Sequence, residues 1–179
     1  MIIILSGFSG VGKDTILNNI KNLYKFKEII SYTSRPIRKK EINGKEYHFI
    51  SKENFKNKIK NNEFLEYRKY ITNTDTWYYG IHKSSIKYGN YISVLDLKGL
   101  KAIRNKFKVI SIFIDAPIEI RRERAISRGS FCQEEFNRRL KDDLELYPKD
   151  IIENEFDYVV ENIDYKKCIK EIKGILDGL

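Results

Sequence analysis

Short apolar runs ended by glycine alternate along this chain with stretches whose apolar residues recur every three or four positions. Ile2 to Ser6 is such a run and predicts a buried strand. Gly7 to Gly12 is a glycine-rich loop, and Asp14 to Tyr24 reads as a helix with Ile16, Leu17, Ile20 and Leu23 at helical spacing. Ile29 to Tyr32 predicts a second short strand, and the polar stretch Arg35 to Gly44, with Pro36 and Asn43, a loop and turn. Ser51 is placed to cap a helix reaching Asn61, with Phe55 and Ile59 on one face, and Glu63 to Ile71 suits a pairing strand. Tyr91 to Leu97 is strand-like and Lys98 to Lys106 helical. The continuous apolar run Val109 to Ile114 is of the kind buried on both faces of a parallel sheet. Pro117 fits the first turn of a helix running toward Arg128 and broken by Gly129. Gln133 to Tyr147 is a further helix stopped near Pro148, Phe156 to Val160 a last strand and Tyr165 to Leu176 a last helix. Strands alternating with helices predict an α/β fold: a central, largely parallel sheet flanked by helices, in one domain.

Composition narrows the class of protein without naming a chemistry. The length of 179 residues suits one domain with a real core. The run after Met1 is too short to span a bilayer and lacks the parts of a signal peptide, so a cytosolic protein without a membrane partner is expected. Cys132 and Cys168 have no metal-ligand spacing and read as ordinary reduced thiols. The net charge of +9 is compatible with nucleic acid, with small polyanions such as nucleotides, or with a composition rich in lysine throughout. The lysines are scattered rather than gathered in a block, which favours the last two and predicts no nucleic-acid partner.

The strongest local chemistry is Gly7-Phe8-Ser9-Gly10-Val11-Gly12-Lys13-Asp14-Thr15, set between a predicted strand and a predicted helix. Glycines let successive backbone N–H groups turn inward on phosphate oxygens, and the helix N-terminus adds partial positive charge. Lys13 can then reach the β- and γ-phosphates. The strict phosphate-loop pattern places Ser or Thr directly after the lysine; here that position is Asp14, and Thr15 follows. Nucleoside monophosphate kinases, which the segment resembles, often carry the hydroxyl one place later. That resemblance gives an ATP site of Ser9, Gly10, Val11, Gly12, Lys13, Asp14 and Thr15, with Mg2+ brought by the nucleotide and Thr15 a candidate ligand.

The segment Thr33-Ser34-Arg35-Pro36-Ile37-Arg38-Lys39-Lys40-Glu41, continued by Gly44-Lys45-Glu46-Tyr47-His48-Phe49, resembles the signature of guanylate kinases throughout its length. The resemblance implies that Arg35, Arg38, Tyr47 and, from Tyr78-Tyr79-Gly80, Tyr79 grip the phosphate of GMP, with Glu41 as the acid of the same segment. Guanidinium forks and phenols suit that task. Phe64-Leu65-Glu66-Tyr67 is similar to the family's F-[LI]-E-[WY], whose glutamate reads guanine, and Ser34 matches a hydroxyl that also contacts the base. A carboxylate accepts only, guanine offers donors at N1 and N2, and adenine presents an acceptor at N1. Ile81 departs from the family, which places Ser or Thr there as a further contact to guanine. One lost neutral hydrogen bond costs about 1 kcal/mol. The loop from Ile71 to Trp77 is also longer than the family's.

Val94-Leu95-Asp96-Leu97-Lys98-Gly99 stands where the family has D-x-D-x-Q-G, so Asp96 matches the second acid, while Val94 and Lys98 are departures. Asp96 is expected to touch the GMP site and to order Mg2+ through water, or else to cap the following helix. Arg124, Arg128 and Arg139 match family arginines that stabilise charge on the transferring phosphoryl group, the last two in or beside a closing lid. Arg121, Arg122 and Arg138 are expected to be solvated neighbours. Asn162, in Asp157-Tyr158-Val159-Val160-Glu161-Asn162, matches an asparagine near the adenine of ATP, and His48 and His82 read as structural.

Taken together, the resemblance implies a P-loop kinase moving the γ-phosphoryl group of ATP to GMP, with dGMP left open. The core would comprise residues 1–32, 90–125 and 149–179, an inserted GMP-binding region residues 33–89 and a lid residues 126–148. The molecule would be a monomer or homodimer. A kinase acting on a ribose phosphate, and a protein-binding module that has lost catalysis, are the alternatives; Glu66, Lys13 and the retained arginines argue against them.

Overall fold

The computed structural model describes residues 1–39, 41–71, 75–127, 129 and 131–179. Five parallel strands form the central sheet in the order β2-β7-β1-β8-β9. They are β1 (Ile2–Gly7), β2 (Lys27–Glu28), β7 (Tyr91–Val94), β8 (Val109–Asp115) and β9 (Tyr158–Glu161). β1 lies in the middle, and Ile3, Ile4 and Leu5 have no exposed surface. Burial on both faces is why this strand is apolar at every position rather than at alternate ones. On one face, α1 (Lys13–Tyr24) buries Ile16, Leu17 and Ile20, and α7 (Tyr165–Asp177) buries Cys168, Ile172 and Leu176. On the other, α3 (Leu97–Arg104) buries Leu100 and Ile103 against Ile2, Ile4 and Phe113. Leu23, expected on the apolar face of α1, is about half exposed (49%) because it falls in the helix's last turn.

A second sheet, in the order β4-β3-β6-β5, stands apart from the first. It consists of β3 (Tyr32–Thr33), β4 (His48–Phe49), β5 (Phe64–Ile71) and β6 (Thr76–His82). β5 and β6 form an antiparallel hairpin, β6 continues antiparallel to β3, and β3 runs parallel to β4. Helix α2 (Lys52–Lys60) closes this sheet: Ser51 accepts from the Asn54 N–H as a cap, and Phe55 stacks on Phe64 at 4.4 Å between ring centroids. The sequence pattern misplaced one strand here. Ile29 to Tyr32 is not a strand; the ladder stops at Glu28 and a different sheet begins at Tyr32. The apolar pair Ile29-Ile30 marks burial at a crossover between sheets, and Ile29 is only 3% exposed. Strands β4 and β6 were not anticipated, because their aromatic, partly buried residues do not alternate cleanly with polar ones.

Helices α4 (Ile118–Ser127) and α5 (Gln133–Leu146) follow β8, and α6 (Lys149–Glu155) leads into β9. α6 was also unforeseen: Pro148 ends α5 and at the same time caps α6, since its fixed φ suits a helix start. Among the described residues no helix is long and apolar enough to cross a membrane.

Candidate active site

The loop after β1 is shaped by contacts that only glycine allows. Gly7 has φ +141°, and a Cβ there would sit 2.1 Å from the Ile114 carbonyl oxygen of β8. Gly12, at φ +93°, is the left-handed residue from which α1 starts. Backbone N–H groups at the start of α1 therefore face the mouth of the loop, with the helix dipole behind them. Lys13 Nζ donates to the Gly7 and Phe8 carbonyls, both at 2.8 Å. It thus lies folded over the loop, where an arriving phosphate can exchange for those carbonyls. Asp14 and Thr15 are exposed on the first turn of α1.

Four side chains from distant elements hold this loop. Asp143 on α5 accepts from the Ser9 N–H (2.8 Å) and the Ser9 hydroxyl (3.1 Å), and it pairs with Arg121 of α4. Arg121 also donates from Nε to the Ser9 carbonyl (2.8 Å) and lies 4.7 Å above the Phe8 ring. The expectation that Arg121 is a solvated neighbour is therefore wrong: it is 5% exposed. Its charge is tolerated in the interior because Asp143 neutralises it and the Ser9 carbonyl takes another donor. Arg122 and Arg138 are exposed as expected, and Arg138 pairs with Glu135 and Asp142. Arg124 donates to the Val11 carbonyl (3.2 Å) and the Asn162 carbonyl (2.7 Å), tying the loop to the end of β9. Asn162 donates to the Val11 carbonyl (2.7 Å), while its own Oδ1 is buried without a hydrogen-bond partner. Arg139 is exposed on α5, pairs with Glu135 and faces the cleft. Arg128 lies outside the described residues.

The cleft, of about 1110 Å3, runs from Lys13 to the second sheet, where Tyr47, Tyr79 and Arg68 line it. Arg35 is buried there. Its guanidinium makes a two-pronged pair with Glu41 (2.7 and 3.0 Å) and lies over the Tyr47 and Phe49 rings. Glu41 also accepts from the Arg38 backbone N–H (2.8 Å), so one carboxylate holds the Arg35 guanidinium and the Arg38 backbone. The Arg35 hydrogen bonds hold its carboxyl below the usual range. The Arg38 side chain is exposed. Tyr47 and Tyr79 meet edge to face at 5.6 Å. Burial pushes the Tyr47 phenol up, helped by Tyr79 and, across the cleft, by the charge of Asp14. A phenol O–H is a hydrogen-bond donor suited to an anion.

Deeper in the same sheet, a bulge between Phe64 and Glu66 re-aims β5. Gly80 lets β6 approach closely: a Cβ there would lie 2.8 Å from the Glu66 carbonyl oxygen. The Glu66 carboxylate is 4% exposed, and neither of its oxygens has a hydrogen-bond partner. Burial raises its pKa, with Arg68 opposing. Ser34 directly follows β3, with its hydroxyl accepting from the Tyr78 N–H of β6 (3.0 Å), which leaves its own proton available. Ile81, by contrast, is fully buried in the apolar cluster with Ile86, Leu95 and Leu100. Asp96 caps α3 through the Gly99 N–H (3.0 Å) and pairs with Arg68 through its other oxygen. The capping role of Asp96 is thus realised. Arg68 itself escaped the sequence reading, since one charged residue on a strand carries no signal of its partners. His48 and His82 make structural contacts, His48 on the Tyr32 ring and His82 with Glu63 and Ser84. Residues 72–74 of the longer β5–β6 connection lie outside the described residues.

Comparison with known proteins gives a consistent outcome. A sequence-family model described as "Guanylate kinase" matches residues 1–179. A guanylate kinase of Clostridium tetani is 34% identical over 99% of this chain and 86% of its own length. One from Mesomycoplasma hyopneumoniae is 38% identical over 98% of this chain and 93% of its own. Among solved structures, a guanylate kinase from Anaplasma phagocytophilum superposes with a TM-score of 0.65 at 24% identity, covering 99% of this chain and 85% of that one, a likeness of fold.

Proposed function

We infer the chemistry from one premise: the chain belongs to the guanylate kinase family, and its reaction is transfer of the γ-phosphoryl group of ATP to GMP. The observation that carries the choice of acceptor is the Glu66 carboxylate, buried and with neither oxygen hydrogen-bonded, although Arg68 stands at ion-pair distance. An unpaired buried acceptor is costly unless a ligand fills it. Guanine supplies two adjacent donors, N1–H and N2–H2, while adenine would set its N1 lone pair against the carboxylate. Ser34, just past the end of β3, adds a hydroxyl donor. Arg38, Tyr47, Tyr79 and Arg35, the last positioned by Glu41, hold the GMP phosphate.

The loop from Ser9 to Thr15 and Lys13 hold the phosphates of ATP, and the free Asn162 Oδ1 suits the exocyclic amine of adenine. The attacking group is an oxygen of the GMP phosphate, so no side chain need become a nucleophile. Catalysis is positioning and charge neutralisation by Lys13, Arg124, Arg139 and Arg128. Arg124 would trade its carbonyl partners for phosphate oxygens as the site fills. A divalent ion, Mg2+ on this reading, would neutralise the phosphates. Among the described residues no cluster of three acidic, histidine or cysteine side chains could hold one alone. The donor set therefore fits an ion bound mainly by phosphate oxygens and water, with the exposed Thr15 hydroxyl beside it. Asp96 fits less well, because the Gly99 N–H and Arg68 already occupy its oxygens.

We take residues 33–89 as the acceptor region, 126–148 as a lid and the remainder as the core. The separate second sheet and the exposed, ion-paired surface of α5 support that division. The free thiols fit a reducing compartment, the cytosol. The test is Glu66→Gln, which replaces one acceptor with a donor. We expect kcat/KM for GMP to fall at least about tenfold, roughly 1.4 kcal/mol, with a narrower gap to AMP. An unchanged GMP:AMP ratio would refute base reading by Glu66.

A further inference from the structure

Glu66 is not the only unsatisfied group at the base end of the cleft. Arg68 stands two residues along β5, on the same strand face as Glu66. Its Nε lies 3.4 Å from Glu66 Oε2, an ion-pair distance without the alignment of a hydrogen bond. Arg68 Nε is therefore a third buried polar atom without a hydrogen-bond partner, directly beside the two carboxylate oxygens. The rest of the guanidinium is anchored, because Nη1 pairs with Asp96, itself fixed as the cap of α3. The group is 17% exposed and lines the cleft. Such an arrangement holds a donor and two acceptors side by side in fixed positions.

We propose that Arg68 is a base-reading residue, and that its Nε–H donates to O6 of the acceptor guanine while Glu66 accepts from N1–H and N2–H2. This proposal rests on the assignment of GMP as acceptor. The protein edge reads donor, acceptor, acceptor, the order cytosine presents to guanine. Guanine answers with acceptor, donor, donor. Adenine reverses the first two positions and has only C–H at the third. Ile81 gives the complementary reason. Its strand faces Glu66 across the hairpin, and its side chain is committed to the apolar core, so it offers the base no hydrogen bond. Arg68 supplies a donor that position lacks, in charged form, and charge-assisted bonds exceed neutral ones. Asp96 then acts through Arg68, as the group that orients it.

The test uses 6-thioguanosine 5′-monophosphate, which keeps the N1 and N2 donors but carries a weaker acceptor at position 6. The wild-type enzyme should prefer GMP to the thio analogue in kcat/KM by about tenfold. In Arg68→Met, which keeps the length of the side chain and removes its donors, the GMP:thio-GMP ratio should fall toward one. Arg68→Lys should fall between the two, because a point charge replaces a directed N–H, and it serves where the Met variant folds poorly. A purely structural role for Arg68 would slow both substrates alike and leave the ratio at its wild-type value; that result overturns the proposal. The GMP:AMP ratio of Glu66→Gln is read in parallel. If it moves while the position-6 ratio does not, Glu66 reads guanine and Arg68 does not. If neither moves, the guanine assignment falls and this inference with it.

Discussion

The two ends of the cleft satisfy their polar groups in different ways. Around the phosphate loop at the donor end the chain has prepared partners: Lys13 rests on the Gly7 and Phe8 carbonyls, Ser9 on Asp143, Asp143 on Arg121, and Arg124 on Val11 and Asn162, while the Asn162 Oδ1 beside it has none. At the acceptor end, Glu66 and the Arg68 Nε are buried and left without hydrogen bonds. The first arrangement suits a ligand recognised by its charge, which any nucleoside triphosphate carries. A loop of backbone N–H groups can be held in shape by its own protein and still bind phosphate. The second suits a ligand recognised by its edge. Discrimination requires groups that only the right partner can complete, and such groups must be dry to penalise the wrong one.

Four measurements would break or sharpen this contrast. The largest effect is expected for Lys13→Ala, which should lower kcat about 10²- to 10³-fold, with GMP affinity by calorimetry close to wild type. Near-normal turnover by a folded variant would remove the donor end from the chemistry. Next comes stability. Asp143→Ala leaves Arg121 buried and unpaired, so denaturant unfolding should show a loss of about 3 kcal/mol or more. An unchanged midpoint would mean the loop does not depend on that pair. Third, Arg38→Ala should weaken GMP binding about tenfold and leave ATP binding unaltered, since the lost contact is one charged hydrogen bond to the acceptor phosphate. Equal losses for both nucleotides would erase the distinction between the ends.

The smallest effect is a pH dependence. Glu66 faces Arg68 on its own strand and, from outside it, Asp96 and Lys98; burial, helped by the charge of Asp96, outweighs Arg68 and Lys98 and raises its pKa above the ordinary carboxylate value. The folded chain then binds the Glu66 proton more tightly than the unfolded one. Without nucleotide, stability should fall as pH rises from the ordinary carboxylate range through the raised value, relative to Glu66→Gln. Over the same window GMP affinity should rise severalfold, because only the ionised carboxylate accepts two bonds. Subtracting the Glu66→Gln profile cancels the titration of the ligand's own phosphate, whose second pKa is about 6. Parallel profiles would show that Glu66 is already ionised throughout.

The donor end was legible because its chemistry is local. A strand, a glycine loop, a lysine and a helix follow one another within a short segment, and each requirement falls on a neighbouring residue. The braces were not: Arg121 looked like one more basic residue on an exposed helix until Asp143 and Phe8 were brought around it. Arg68 went unnoticed for the same reason, and Asp96, expected either at the GMP and metal site or as a helix cap, caps α3 and pairs with Arg68.

By itself the sequence determined the parallel-sheet core, the phosphate loop and the family, since these follow from runs of apolar residues and from motifs contiguous in the chain. Only the tertiary structure decided which charges are buried, which are paired and which are left open. Those properties depend on side chains from β5, β6 and α3 meeting at one place, and on the desolvation they suffer there. Burial raises the energy of every unpaired polar group. The three atoms left without hydrogen bonds beside one another, two on Glu66 and one on Arg68, are consequently a feature of the folded chain that no stretch of sequence contains.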